Sequence, residues 1–130
     1  MSPLLIIPIL GAVFIIARMF FKSRPTMSPK EASAAVEIGT AVLVDVREPA
    51  EWNTGVARAA VLLPLSDLRG QRERWTPFLN KNRGKRILLY CQSGTRSGIA
   101  ASILITEGFD TDNIGTFSSW QESGLPVRTP

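Results

Sequence analysis

The single cysteine of this 130-residue chain stands in the run Tyr90-Cys91-Gln92-Ser93-Gly94-Thr95-Arg96-Ser97. Before it, Ile87, Leu88 and Leu89 join Tyr90 in an apolar run long enough for a short buried strand. After it, Ile99, Ile103 and Leu104 recur at helical spacing among small residues. Cys91 therefore falls where a strand passes into a polar, glycine-containing loop and then into a helix. In open α/β sheets, ligands gather at the carboxyl ends of strands, where helix N-termini also point. A thiol at that place faces backbone N–H groups and the positive end of a helix dipole, and both favour an anionic sulfur. The chemistry this predicts is nucleophilic attack by sulfur.

Histidine is absent from the chain. That removes the usual zinc sites and every Cys–His or Ser–His catalytic pair, so neither a metal nor a cofactor is predicted. Acyl transfer or proteolysis would need a general base. The amides from Gln92 to Ser97 are expected to turn inward as an anion-binding nest, with Gly94 giving the backbone the freedom this requires. Arg96 offers a planar donor fork for the oxygens of an anion, and Ser93, Thr95 and Ser97 can add hydroxyl hydrogen bonds.

The elements that must position this loop can be read in order. Ser28-Pro29-Lys30-Glu31 is a helix start with a capping box, followed by an inward stripe of Ala32, Ala35, Val36 and Ile38 and a stop at Gly39. Ala41 to Val44 is a continuous apolar run, hence a buried and parallel strand. It leads into Asp45-Val46-Arg47-Glu48-Pro49-Ala50-Glu51-Trp52, where Arg47 and Glu51 are placed to pair and Trp52 to pack under the loop. Ala59 to Leu63 is a second apolar run, stopped by Pro64. A helical turn from Ser66 and a helix over residues 72–79 follow, the latter with Trp75, Phe78 and Leu79 facing the core. A last strand over Thr111 to Ile114 is weakened by Asp112-Asn113, and a helical turn or two spans Phe117 to Glu122. Strands alternating with helices predict a parallel α/β sheet.

Three stretches carry a resemblance to a known family. Val44-Asp45-Val46-Arg47 with Glu51-Trp52, the loop Tyr90 to Ser97, and Trp120 with Gly124-Leu125-Pro126-Val127 stand in order at ordinary spacings. Together they resemble the rhodanese-like domain in its single-domain sulfurtransferase form, over about residues 28–127. The resemblance implies a parallel five-stranded sheet flanked by helices, with Cys91 as catalytic residue and residues 92–97 binding substrate. Asp45, Arg47 and Glu51 take structural support of the site. It implies transfer of sulfane sulfur from thiosulfate or a persulfide donor, through a Cys91 persulfide, to a thiol, a protein or cyanide. A non-catalytic sulfur carrier or interaction module tethered at a membrane is the alternative. Phosphatases of this fold set five residues between Cys and Arg, whereas four separate Cys91 from Arg96. The chain departs from the family at Val56, where a histidine is common, and at Gly115-Thr116, where Gly-Gly is common.

Residues 1–24 form a separate unit. Leu4 to Phe21 is an 18-residue apolar segment with one charge, Arg18, just long enough for a single-pass transmembrane helix. A cleaved signal peptide would want basic residues before the apolar core and small ones after it. Here Arg18, Lys22 and Arg24 lie on the C-terminal side, which orients the domain of residues 25–130 toward the cytoplasm. From Pro25 onward Lys plus Arg balance Asp plus Glu at 12 to 11, so no nucleic-acid partner is expected. One unpaired cysteine suits a reducing compartment.

Overall fold

The structure, a computed structural model, describes residues 24–130. The segment 4–21, read above as a membrane span, lies outside the described residues. Among the described residues no helix is long and apolar enough to cross a membrane.

The Ser28 hydroxyl accepts from the Glu31 amide and opens α1 (Pro29–Glu37), with Pro29 in the first turn. Ala32, Ala35 and Val36 face the core, but Ile38 is 75% exposed. It lies two residues beyond Val36, off the face that the three- and four-residue spacings define. β1 (Ala41–Asp45) runs into a 3-10 turn at Pro49–Thr54, then β2 (Val56–Ala57) and β3 (Val61–Leu62). Next come α2 (Leu65–Leu68), α3 (Trp75–Lys81), β4 (Arg86–Cys91), α4 (Thr95–Thr106), β5 (Thr111–Thr116), α5 (Phe117–Glu122) and β6 (Val127–Arg128).

The main sheet has four parallel strands in the order β3-β1-β4-β5, with helices on both faces. This corrects the five strands that the resemblance implies. β2 does not join the sheet; it pairs antiparallel with β6 in a separate two-stranded ribbon. Gly55, at φ 108°, redirects the chain, and Val56 and Ala57 meet Arg128 and Val127, which return from the C-terminus running the other way. Pro64, which has no N–H, keeps β3 to two residues.

β4 is buried on both sides, which explains its unbroken apolar run. Ile87, Leu89 and Cys91 pack with Trp75, Phe78 and Leu104, while Leu88 and Tyr90 pack with Ile114, Phe117 and Trp120. Cys91, last in the strand, thus sits at the end of the most deeply buried element of the sheet.

Candidate active site

The site is built at the junction of β4 and α4. Gly94 caps α4 with φ 86°, a left-handed conformation that glycine adopts without steric penalty. That turn aims the Gly94 amide at Cys91 Sγ, 3.0 Å away. One helical turn on, Ser97 donates its amide at 3.4 Å and places its hydroxyl 3.3 Å from the same sulfur. Of the six amides from Gln92 to Ser97, those of Gly94 and Ser97 donate to the sulfur, and the Thr95 amide goes to Ser93 Oγ at 3.5 Å. Gln92 and Ser93 are exposed, Thr95 and Arg96 half-buried, and Ser97 and Cys91 buried.

Arg96 does not stand alone at the loop. Its Nη1 and Nη2 donate to the two carboxylate oxygens of Glu51, Nη2 at 2.7 Å. Glu51 Oε1 also accepts from the Glu48 amide at 3.1 Å, so the carboxylate is gripped from both sides. The Arg96 hydrogen bond, backed by the Glu48 amide and by the charges of Arg96 and Arg47, outweighs burial and lowers the Glu51 carboxyl to about 2. The same bond raises Arg96 above its ordinary value. Both side chains remain about one-third exposed.

Arg47, expected to pair with Glu51, turns the other way. It is fully buried and pairs with Asp45, two residues back, with Nη2 at 2.8 Å and Nε at 3.1 Å. Its Nη2 also donates to Gly55 O at 2.7 Å, and Nη1 reaches Glu51 O and Gln92 Oε1, each at 3.4 Å. Asp45 in turn accepts from the Arg47 amide and from Trp52 Nε1. Burial opposes the Arg47 charge, but the hydrogen bond and charge of Asp45 outweigh it and raise its pKa. The guanidinium lies 4.5 Å from the Phe117 ring centre. This buried knot ties the end of β1 to the turn that carries Glu51 and to the first loop residue after Cys91. Tyr90, beneath it, accepts from the Ala57 amide at 2.9 Å, and burial raises its phenol well above the ordinary range, so it stays neutral.

One contact of the loop escaped the sequence reading. Asn113, counted above as a weakness of the last strand, is 3% exposed in the middle of β5. Its Oδ1 accepts from Ser97 Oγ at 2.7 Å, and its Nδ2 donates to Gly94 O at 3.0 Å. An amide side chain inside a buried strand must find partners, and that was the available signal. Val56 is buried in the β2–β6 ribbon, and Gly115, at φ 99°, lets Pro25 pack close over the end of β5.

A cavity of about 460 Å³ opens beside the loop, lined by Glu51, Thr54, Gln92, Phe117, Ser118 and Gln121. Among the described residues no cluster of His, Cys, Asp and Glu could hold a metal ion.

A Rhodanese-like domain model matches residues 28–123, which takes in every element that builds the loop and its supports. The chain belongs to that family. The rhodanese-like domain here is 32% identical over 93 residues to thiosulfate sulfurtransferase 16, chloroplastic, of Arabidopsis thaliana, covering 65% of this chain and 78% of that one. It is 28% identical over 104 residues to the tRNA uridine(34) hydroxylase of Citrobacter koseri, covering 75% of this chain. The chain spans 30% of the length of that hydroxylase. The crystal structure of a rhodanese-related protein from Thermoplasma volcanium superposes with a TM-score of 0.65 at 27% identity, over 82% of this chain and all of the other. The family thus includes sulfurtransferases and proteins with other roles.

Proposed function

We propose that this rhodanese-like domain is a sulfurtransferase working through a Cys91 persulfide. The observation that carries the reading is the set of donors on one sulfur: the Gly94 amide, the Ser97 amide and the Ser97 hydroxyl, at 3.0, 3.4 and 3.3 Å. Those donors suit a negative sulfur and a helix N-terminus strengthens them. The Cys91 thiolate attacks the outer sulfur of thiosulfate; the sulfur–sulfur bond breaks and sulfite leaves with the electron pair. A thiolate or cyanide then attacks the terminal sulfur of Cys91–S–S⁻, and the Cys91 thiolate is the leaving group. No step moves a proton, which fits a chain without histidine.

A second reading, a sulfur carrier or interaction module, is favoured by the Arg96–Glu51 pair. The loop's guanidinium is already gripped on two prongs, so a small dianionic donor must compete with Glu51 for it. A persulfide presented by a partner protein has no such competitor.

The 18-residue apolar segment and its basic flank support anchoring to a membrane through residues 4–21, with the domain on the cytoplasmic side. Recovery of the full chain in the membrane fraction, resistant to alkaline extraction, is the expected result.

The test of the activity is direct. Thiosulfate with cyanide should yield thiocyanate, and the intact mass should rise by one sulfur atom at Cys91. Mass gain without thiocyanate selects the carrier; no mass gain refutes both the enzyme and the carrier and leaves an interaction module.

A further inference from the structure

We propose that Asn113 is a positioning residue for the Cys91 sulfur: its side-chain amide holds the Gly94 carbonyl and the Ser97 hydroxyl, and so sets both groups that face Sγ. This inference rests on Cys91 being the nucleophile, and the experiment below separates the two.

The Ser97 hydroxyl has one proton and three acceptors within reach: Asn113 Oδ1 at 2.7 Å, Gly94 O at 3.1 Å and Cys91 Sγ at 3.3 Å. While the sulfur carries its own proton, the hydroxyl proton rests on the nearest acceptor, Asn113, and an oxygen lone pair faces the S–H. Once the sulfur is negative, the hydroxyl turns onto it. That turn leaves no buried acceptor unpaired, because Asn113 Oδ1 keeps the Gly115 amide at 3.0 Å. Asn113 therefore lets Ser97 serve both states of the sulfur at little cost.

The other half of the amide acts on the backbone. Nδ2 donates to Gly94 O at 3.0 Å, fixing the residue whose own amide points at Sγ. Asn113 is itself clamped from outside the sheet. The Thr26 amide donates to Asn113 O at 2.8 Å, the Asn113 amide donates to Thr26 Oγ1 at 3.1 Å, and Nδ2 also reaches Arg24 O at 3.3 Å. The segment just before α1 thus covers the β5 edge and holds the strand position from which Asn113 reaches the loop. A side chain on β5, from a stretch without chemistry of its own, completes the surroundings of a nucleophile on β4.

The experiment uses the full chain and methyl methanethiosulfonate, a small reagent whose sulfur is attacked as thiosulfate's would be and whose sulfinate leaves as sulfite would. Asn113→Ala should slow modification of Cys91 at neutral pH by about 3- to 10-fold, the worth of one hydrogen bond to the sulfur. The ultraviolet absorbance of the thiolate, read against Cys91→Ser, should fall with it; a merely structural role would move stability and not that signal. Ser97→Ala should slow the reaction to a similar degree, and the double variant by less than the product of the two, because they share the Ser97 hydroxyl while Asn113 also holds the Gly94 carbonyl. If Asn113→Ala does not fold, Asn113→Asp keeps the shape and the acceptor but loses the Nδ2 donor and adds a charge, and it should slow the reaction further. A wild-type rate in whichever variant folds, or a double variant slowed by the full product, overturns the proposal. A wild-type Cys91 inert to the reagent overturns the nucleophile itself, and this inference with it.

Discussion

Glu51 and Arg96, 45 residues apart in the chain, close on each other as a two-pronged ion pair that joins the turn after β1 to the first turn of α4. The folded Glu51 carboxyl lies at about 2, below its ordinary 4.5, so the folded state holds it ionised where an unfolded chain takes up a proton. Its contribution is complete above the ordinary value and is lost as pH falls through the folded one. The stability gap between wild type and Glu51→Gln should therefore narrow as pH drops from about 4.5 to about 2. Denaturant titrations across that range check it; a gap constant to the acid end would show that the pair adds nothing.

Arg47 and Asp45 form a pair with no exposure on either side chain. Arg47→Met leaves the Asp45 carboxylate buried without its cation, which costs about 3–5 kcal/mol. Asp45→Asn added to that variant should restore part of the loss, because the stranded charge is then gone. Urea midpoints of the single and double variants decide; equal destabilisation in both would mean that the stranded charge is not what costs.

Gly94 has φ 86°, and Gly39 and Gly84 are also left-handed at 83° each, but only Gly94 lies against the sulfur. Alanine at any of the three costs about 1–2 kcal/mol of backbone strain. Only Gly94→Ala should also cut persulfide loading from thiosulfate, by about tenfold, as the amide moves off Sγ. Loading followed by intact mass, with Gly39→Ala and Gly84→Ala as controls, separates the two effects. Equal loading in all three would refute a special role for the Gly94 amide.

Cys91→Ser should abolish thiocyanate formation and keep the fold. A serine oxygen fits the buried position and accepts from the same Gly94 and Ser97 amides. Unchanged thermal unfolding together with lost turnover is the expected pair of results; retained turnover would move the chemistry away from Cys91.

Much of this was legible in the chain, and for identifiable reasons. The apolar run before Cys91 marks a strand buried on both faces, and Ser28 with Pro29 and Glu31 marks the start of α1, because both signals depend only on near neighbours. The four strands of the main sheet were legible too, as the runs at residues 41–44, 59–63, 87–90 and 111–114, but the β2–β6 ribbon was not. Whether Val56–Ala57 joins the sheet or pairs with Val127–Arg128 depends on where the C-terminus returns, and no local pattern encodes that.

The charged residues divide in the same way. Arg47, Glu51 and Arg96 stand out by type and spacing, but their partners are choices of geometry. Arg47 points inward to Asp45, and Glu51 is left for Arg96. Asn113 was hidden for a related reason: its strand lies beside the loop only in space, 16 residues beyond Ser97. The amino-acid sequence by itself determined the α/β class, the strand–loop–helix around Cys91 and a chemistry without imidazole, since these follow from residue type and short-range spacing. Only the tertiary structure decided which donors reach the sulfur and which carboxylate holds Arg96, because hydrogen bonds are made by side chains that meet in space.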